Sequence, residues 1–243
     1  MPHRTLALAP RPAWLALERV PDTPQDGAPG HGQFGILFVC TANICRSAIA
    51  ERLAQRGLRA RLGADACRFR VASAGTASLD GCPVHPYTVE ALTWLGADAE
   101  GFASHGLTAA DVDAADLILA AGQEHRNQVV AMRPSASRRA YLMREFARMA
   151  AFASGTAVGG PAVGGPAAGL SAVDQARHLV ATVARLRGRV PYIEPAEDEI
   201  ADPAATSEAF LECARGIDGV VSDALDALCR GLPASPDQGR HGR

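Results

Sequence analysis

The apolar positions of this chain change period along its length, and the changes mark its elements. "GILFVC" (35–40) is a short unbroken apolar run, the pattern of a strand buried on both faces. "RSAIAERLAQRGLRARLG" (46–63) follows with helical spacing: Ile49 and Leu53 are four apart, as are Leu58 and Leu62. "FRVASAGT" (69–76) reads as a second strand ending in a Ser/Gly turn, and "HPYTVEALTWLG" (85–96) as a helix closed by Gly96. "DLILAA" (116–121) is a third strand, with a helix through "HRNQVVAMR" (125–133). "RRAYLM" (138–143) supplies a fourth, and "REFARMAAF" (144–152) is helical after it. Strands alternating with helices predict an α/β, three-layer fold with a four-stranded parallel sheet flanked by helices on both faces.

The alternation stops at "ASGTAVGGPAVGGPAAGL" (153–170), a Gly/Ala/Pro tract with a near-repeat. It is too short for a solenoid and too Gly-rich for a helix, so a flexible surface insertion is expected. A further helix starts at Ser171, where Ser171 and Asp174 form a capping-box-like pattern, and ends at Gly188. The last helix places Phe210, Ala214, Ile217, Val221, Leu225 and Leu228 on one face. Residues 1–33 are rich in Pro, Gly and Asp without sustained periodicity, and 231–243 are polar. They are expected to be a flexible N-terminal extension and a disordered tail around one domain at 34–230.

Composition narrows the function. The chain has 243 residues, 48% of them hydrophobic, and a net charge of −2 at pH 7, so neither nucleic acid nor an anionic membrane is expected as a partner. All 24 basic residues are Arg, and without Lys a Walker-type phosphate loop is excluded. Six cysteines at scattered positions resemble neither a secreted disulfide framework nor paired CxxC zinc ligands. The N-terminal apolar run is cut by Pro10 and Pro12, so no signal peptide is read, and no stretch is long enough to span a membrane. A soluble cytoplasmic protein is expected.

The chemistry concentrates in Cys40 to Ser47. In a doubly wound sheet, ligands sit at the carboxyl ends of the strands, where the next helix presents free N–H groups. Those donors can ring an anion, and the helix dipole adds roughly half a positive charge. A thiol in such a field is activated, with a pKa of ~3.5–7.5 rather than ~8.5. Arg46 can add a bidentate fork for phosphate oxygens. Singly, a cysteine at a strand end is a small buried hydrophobe and an arginine at a helix start a solvated side chain. As C-x5-R-S at a strand–loop–helix junction, they make a nucleophile and an anion share one cradle.

"VCTANICRSAIAE" (39–51) resembles the phosphate-binding loop of the low-molecular-weight protein tyrosine phosphatases. The likeness extends to "SAGT" (73–76), "HPYTVEALTWLG", "LTAADVDAADLIL" and Asp202-Pro203, and so covers residues 35 to about 230, with the Gly/Ala/Pro tract as an insertion. The resemblance implies that Cys40 attacks phosphorus to form a phosphocysteine while Arg46 and loop N–H groups hold the equatorial oxygens. Asp202 would protonate the leaving phenol and then activate water. Thr41, Ala42, Asn43, Ile44, Cys45 and Ser47 would line the anion site, Asn43 holding the loop's shape and Ser47 supporting the thiolate. Cys45 would also form a reversible disulfide with Cys40. No metal or other cofactor is required. The expected substrate is a phosphotyrosine-containing protein or small aryl phosphate, with inorganic phosphate as product.

Asp-Pro is equally an ordinary helix-start pair, Asp as cap and Pro at the first position, and Asp198 is the fallback acid. Other departures stand out. The family's loop Gly is Ala42 and its following Pro is Ala48; the aromatic pair after Asp-Pro is Ala204-Ala205; and the supporting His and Arg align with Phe102 and His105, altering the buttress behind Asn43 and Ser47. His85 and His125 read as cap or surface residues, and Cys67, Cys82, Cys213 and Cys229 as ordinary partly buried thiols. Among rivals of the same fold, arsenate reductases carry Ser at Ile44 and a resolving Cys after the third strand, where this chain has Ala121-Gly122. Phosphoarginine phosphatases favour Thr at Ile44. A phosphate-binding module with little turnover is the reading from a different class.

Overall fold

Every residue from Phe34 to Cys40 is buried, as a strand covered on both faces requires. In the computed structural model, which describes residues 32–155, 170–191 and 193–230, this strand, β1, is the second of a four-stranded, all-parallel sheet. The others are β2 (Phe69–Gly75), β3 (Leu117–Ala120) and β4 (Ala140–Leu142), in the order β2-β1-β3-β4. Helices α1 (Arg46–Leu62), α2 (Pro86–Trp94), α3 (Ala109–Ala114), α4 (Gln123–Met132), α5 (Met143–Ala153), α6 (Ala172–Leu186) and α7 (Ser207–Leu228) complete the order. Of the expected extension, insertion and tail, residues 1–31, 156–169 and 231–243 lie outside the described residues.

The pleat of β1 sorts the core. Phe34, Ile36 and Phe38 pack with Ile49 and Leu53 of α1, Phe146 of α5, Val183 of α6 and Ile217 and Leu225 of α7. Leu37 and Val39 point the other way, against Val112 of α3 and Val129 of α4. The result is the expected three layers, with the thicker helical layer on the α1/α7 side. That packing explains the apolar stripe of α7, whose Phe210, Ala214, Ile217, Val221, Leu225 and Leu228 are all buried.

Expected and observed bounds differ by a few residues. Helix α4 starts at Gln123, two residues before the predicted His125, and α2 stops at Trp94, with Gly96 beyond it at φ 71°. The short α3 was not predicted; it opens on a capping box in which Thr108 Oγ1 accepts from Asp111 N–H and Asp111 Oδ2 accepts from Thr108 N–H. Single 3-10 segments at Gly63–Arg68, Pro134–Arg138 and Pro195–Asp198 fill connections that have no readable period.

The strand order reverses direction between β1 and β3, which places the loops after these two strands side by side. Those loops carry Thr41–Cys45 and Ala121–Gly122.

Candidate active site

Cys40 ends β1 and Arg46 begins α1, so five residues form one tight loop at the carboxyl edge of the sheet. Its turn depends on Asn43, at φ 56°, a left-handed conformation that Asn tolerates better than most side chains. The Asn43 side chain is fully buried and satisfied on both ends. Its Nδ2 donates to Ser47 Oγ at 2.9 Å and to Ser73 Oγ at 2.7 Å, and its Oδ1 accepts from His105 N–H at 2.8 Å. Ser73 donates onward to Glu51 Oε2 at 2.5 Å. Burial raises the Glu51 carboxyl above its ordinary value, against the pull of the Ser73 bond.

This network answers the question raised by Phe102 and His105. Phe102 lies under the Arg52 guanidinium, 5.4 Å from it, and the His105 ring pairs with Asp111 at 2.9 Å. The buttress is altered in its side chains, and the backbone of His105 together with Ser73 and Glu51 supports Asn43. The loop therefore keeps its shape by other means.

Ser47 Oγ lies 2.9 Å from Cys40 Sγ, and because it accepts from Asn43 its own proton is free to point at the sulfur. Arg46, only 8% exposed, donates through Nη1 to Ile200 O at 3.1 Å and through Nη2 to Thr41 Oγ1 at 3.4 Å. Its Nε sits 3.0 Å from Asp202 Oδ1, an ion pair whose angle falls outside hydrogen-bond geometry. Cys45, at the N-cap of α1, makes no side-chain cap bond, and the first turn holds no acidic residue. The first N–H groups of α1 thus have neither an internal partner nor a carboxylate of their own turn competing for them. The end of β2 closes in from the side: Gly75 pairs with Cys40, Thr76 N–H donates to Cys40 O at 2.9 Å and Ala77 N–H to Thr41 O at 2.9 Å. A Cβ at Gly75 would stand 2.5 Å from Thr41 O, so the strand passes there only as glycine.

The remaining predicted residues separate by role. Thr41 is exposed, while Ala42 and Ile44 are half-buried, and the Ile44 carbonyl accepts from His85 N–H at 2.9 Å and Thr88 Oγ1 at 3.1 Å. Asp202 is 75% exposed at its side chain and reaches Arg46 from the segment before α7. It does not cap that helix; Thr206 does, its Oγ1 accepting from Ala209 N–H at 3.2 Å. Asp198 is buried and bound to Arg148 Nη2 at 2.7 Å, which leaves its carboxylate engaged elsewhere. Ala204 and Ala205 are exposed and present no ring.

His85 caps α2 as expected, accepting at Nδ1 from Tyr87 N–H at 3.2 Å and stacking on Phe210 with centroids 4.5 Å apart. His125 is neither cap nor surface. It is buried in the first turns of α4, and its Nε2 lies 2.9 Å from Thr41 Oγ1. Burial lowers its pKa below 6.5, and the positive charge of Arg46 adds to the effect. Cys67 is exposed, not partly buried, and Cys82 and Cys229 are half-buried. Cys213, on α7, is half-buried and packs against the core cluster that holds Cys45. A sulfur, a buried guanidinium, a carboxylate and an uncapped helix end thus share one cradle, an arrangement able to hold a tetrahedral anion against a nucleophile.

Comparison with known proteins points the same way. Residues 35–165, more than half of the chain, match the model of the family described as "Low molecular weight phosphotyrosine protein phosphatase". The chain is 36% identical over 100 residues to the probable low molecular weight protein-tyrosine-phosphatase EpsP of Ralstonia solanacearum, covering 41% of this chain and 63% of that protein. It is 42% identical over 99 residues to the low molecular weight protein-tyrosine-phosphatase Etp of Escherichia coli (strain K12), covering 41% and 62%. The chain therefore spans less than two thirds of the length of these curated relatives. Among solved structures, the YwlE arginine phosphatase from Geobacillus stearothermophilus superposes with a TM-score of 0.54 at 20% identity, over 80% of this chain and 92% of that one. A low molecular weight protein tyrosine phosphatase from T. tengcongensis gives 0.55 at 21% identity, over 80% and 99%. At these identities the structures establish the fold.

Proposed function

Because the chain belongs to the low molecular weight phosphotyrosine protein phosphatase family, we propose that it hydrolyses phosphate monoesters through a phosphocysteine intermediate, with phosphotyrosine-containing proteins as its substrate class. The observation that carries the reading is that Asp202, distant in sequence, meets the loop that holds Cys40, Arg46 and Ser47. Ser47 Oγ is 2.9 Å from Cys40 Sγ, and the preceding residue, Arg46, holds Asp202 Oδ1 at 3.0 Å. A binding module needs the cation and the helix end; it has no use for a sulfur served by a hydroxyl or for a carboxylate delivered beside the cation.

In the first step the Cys40 thiolate attacks phosphorus from the side opposite the phenolic oxygen. The S–P bond forms as the O–P bond breaks, and Asp202 gives its proton to the departing phenol. Arg46 and the N–H groups of the loop bind the equatorial oxygens as charge builds on them. In the second step the Asp202 carboxylate takes a proton from water, the water oxygen attacks phosphorus, and Cys40 leaves as thiolate with its sulfur on the Ser47 hydroxyl. Inorganic phosphate is the product. Ile44, where the phosphoarginine branch resembled in sequence has Thr, supports the phosphotyrosine-directed reading, as the absence of a cysteine at Ala121-Gly122 supports hydrolysis over arsenate reduction. The six free thiols suit a reducing cytoplasm.

Turnover of a phosphotyrosyl peptide, a phosphoarginyl peptide and a series of aryl phosphates tests the reading, with arsenate reduction alongside. Cys40→Ser should abolish hydrolysis. Asp202→Asn should lose ~10²–10⁴-fold, with a steeper dependence on leaving-group pKa than the wild type. Asp198→Asn should leave that slope unchanged. Hydrolysis surviving in Cys40→Ser, or an unchanged slope in Asp202→Asn, overturns the assignment.

A further inference from the structure

The segment that carries Asp202 is tied to the sheet before it reaches the cradle. Val39 O, in the residue before Cys40, accepts from Ala121 N–H at 2.9 Å, and Ala121 O accepts from Ile200 N–H at 2.8 Å. Ile200 O in turn accepts from Arg46 Nη1 at 3.1 Å. The bonds thus run from the strand of the nucleophile, across the loop after β3, to the cation. Ile200 is their buried turning point, 5% exposed. Beyond it Ala201, Asp202, Ala204 and Ala205 are exposed, so the approach of Asp202 to Arg46 depends on how Ile200 is held.

Glu199 pins that point from the side. Its Oε1 accepts from Gln123 N–H at 3.0 Å, across 76 positions of sequence. Gln123 opens α4, and Gly122 at the N-cap supplies no side-chain acceptor, so a free N–H of the helix start is satisfied by this distant carboxylate. The carboxylate lies against Gly122, where a Cβ would stand 3.5 Å from Glu199 Cδ and 3.6 Å from Oε1. Asp198, one residue earlier, is engaged by Arg148 on α5. Glu199 is therefore the side chain that joins the Asp202 segment to the edge where the anion loop opens.

We propose that Glu199 is a positioning residue for the reaction: by capping α4 from outside the helix, it holds residues 199–202 against the loop after β3 and keeps the Asp202 carboxyl at the leaving oxygen. The inference rests on the reading of Asp202 as the general acid. One pinned residue fixes where a chain passes; two in succession fix the direction in which it leaves. Ile200 provides the first point through its backbone and Glu199 the second through its carboxylate. Glu199 is itself exposed, so its bond contributes no more than one helix cap does.

A cap alone and a positioning residue differ in what they move. Glu199→Ala should lower kcat for phenyl phosphate by about 2–30-fold, the rate equivalent of losing one cap. It should also steepen the dependence on leaving-group pKa toward that of Asp202→Asn. Glu199→Gln keeps an oxygen for Gln123 N–H and should keep the wild-type slope. Added to Asp202→Asn, Glu199→Ala should leave the slope as it is, because no acid remains to be misplaced. Gly122→Ser gives α4 a cap of its own, so in Glu199→Ala it should restore the urea midpoint without restoring the slope. A wild-type slope in Glu199→Ala overturns the proposal, as does a slope that Gly122→Ser restores together with stability. A glutamine variant as impaired as the alanine one also overturns it, since the bond to Gln123 would then not be what matters. Asp202→Asn alone keeps the two readings apart. An unchanged slope there strikes the proposed acid, whereas a steeper slope there beside an unchanged one in Glu199→Ala strikes the positioning role alone.

Discussion

Substitution of Asn43 separates two costs that its position combines. The residue sits at φ 56° and is fully buried. Asn43→Ala keeps a Cβ in a left-handed conformation, at roughly 1–2 kcal/mol. It also strips the acceptor from the part-buried His105 N–H, bonded at 2.8 Å, and a donor left unpaired away from water costs up to about 1–3 kcal/mol. Ser47 and Ser73 lose only an incoming bond and keep their own partners, Cys40 at 2.9 Å and Glu51 at 2.5 Å, so they add little. The expected loss for Asn43→Ala is therefore about 2–5 kcal/mol. Asn43→Gly removes the conformational cost and should lose about 1–3 kcal/mol, which places it between the wild type and the alanine variant. Urea unfolding of the three proteins measures the order. Turnover tests the second half of the argument, that Asn43 acts on Cys40 by fixing the direction of the Ser47 hydroxyl. If so, kcat effects of Asn43→Ala and Ser47→Ala are strongly non-additive in a double-mutant cycle. Equal stability of the alanine and glycine variants would refute the conformational account, and additive kcat effects would refute the action through Ser47.

Two further predictions follow from packing and from charge. Gly75→Ala puts a methyl 2.5 Å from the Thr41 carbonyl oxygen, which is backbone and cannot swing aside, so stability should fall by about 1–3 kcal/mol with a loss of turnover. Gly106→Ala, whose Cβ would meet nothing nearer than Asp80 Oδ1 at 3.4 Å and Ser78 O at 3.9 Å, should change both far less in the same denaturation and rate assays. His125 has its folded pKa lowered below 6.5, so below that value the unfolded chain binds a proton that the folded one does not, and stability is lost as pH falls from about 6.5 toward the folded pKa. Urea midpoints at about pH 7.5 and about pH 5 should therefore drop more in the wild type than in His125→Gln; parallel pH dependence would remove burial of neutral His125 as a cost.

The strands were legible because burial on both faces leaves unbroken apolar runs, and the core of each lies within two residues of where the pattern put it. Helix α3 escaped because only Val112 of its six residues is buried, too little to show a helical period; its readable trace was the Thr108-to-Asp111 spacing of a capping box. The two readings of Asp202 could not be decided locally, since Asp-Pro suits a helix start as well as an acid. Thr206 takes the cap, which removes that reading of Asp202 and leaves its carboxylate against Arg46.

The same contrast explains why the chemistry was readable and its control was not. The proposed nucleophile, cation and supporting hydroxyl all fall within residues 40–47, because a strand-to-helix loop is contiguous and its demands appear as spacing. The residues that orient them come from afar. His125 is 84 positions from Thr41 and meets it only because β3 lies beside β1, so that the loops after both strands open at one edge. Cys213 packs against the cluster that holds Cys45 because α7 lies along α1, burying Ile217 and Leu225 with Ile49 and Leu53. Neither residue carries a local pattern that distinguishes it from a surface histidine or a filler thiol. Once the strand order is known, both become searchable: any ionisable side chain just after β3, or on the α7 face toward the α1 N-terminus, lies next to the anion site. Regulation written into this fold is therefore to be sought in side chains from those two places, where a single substitution can retune the loop without altering its motif.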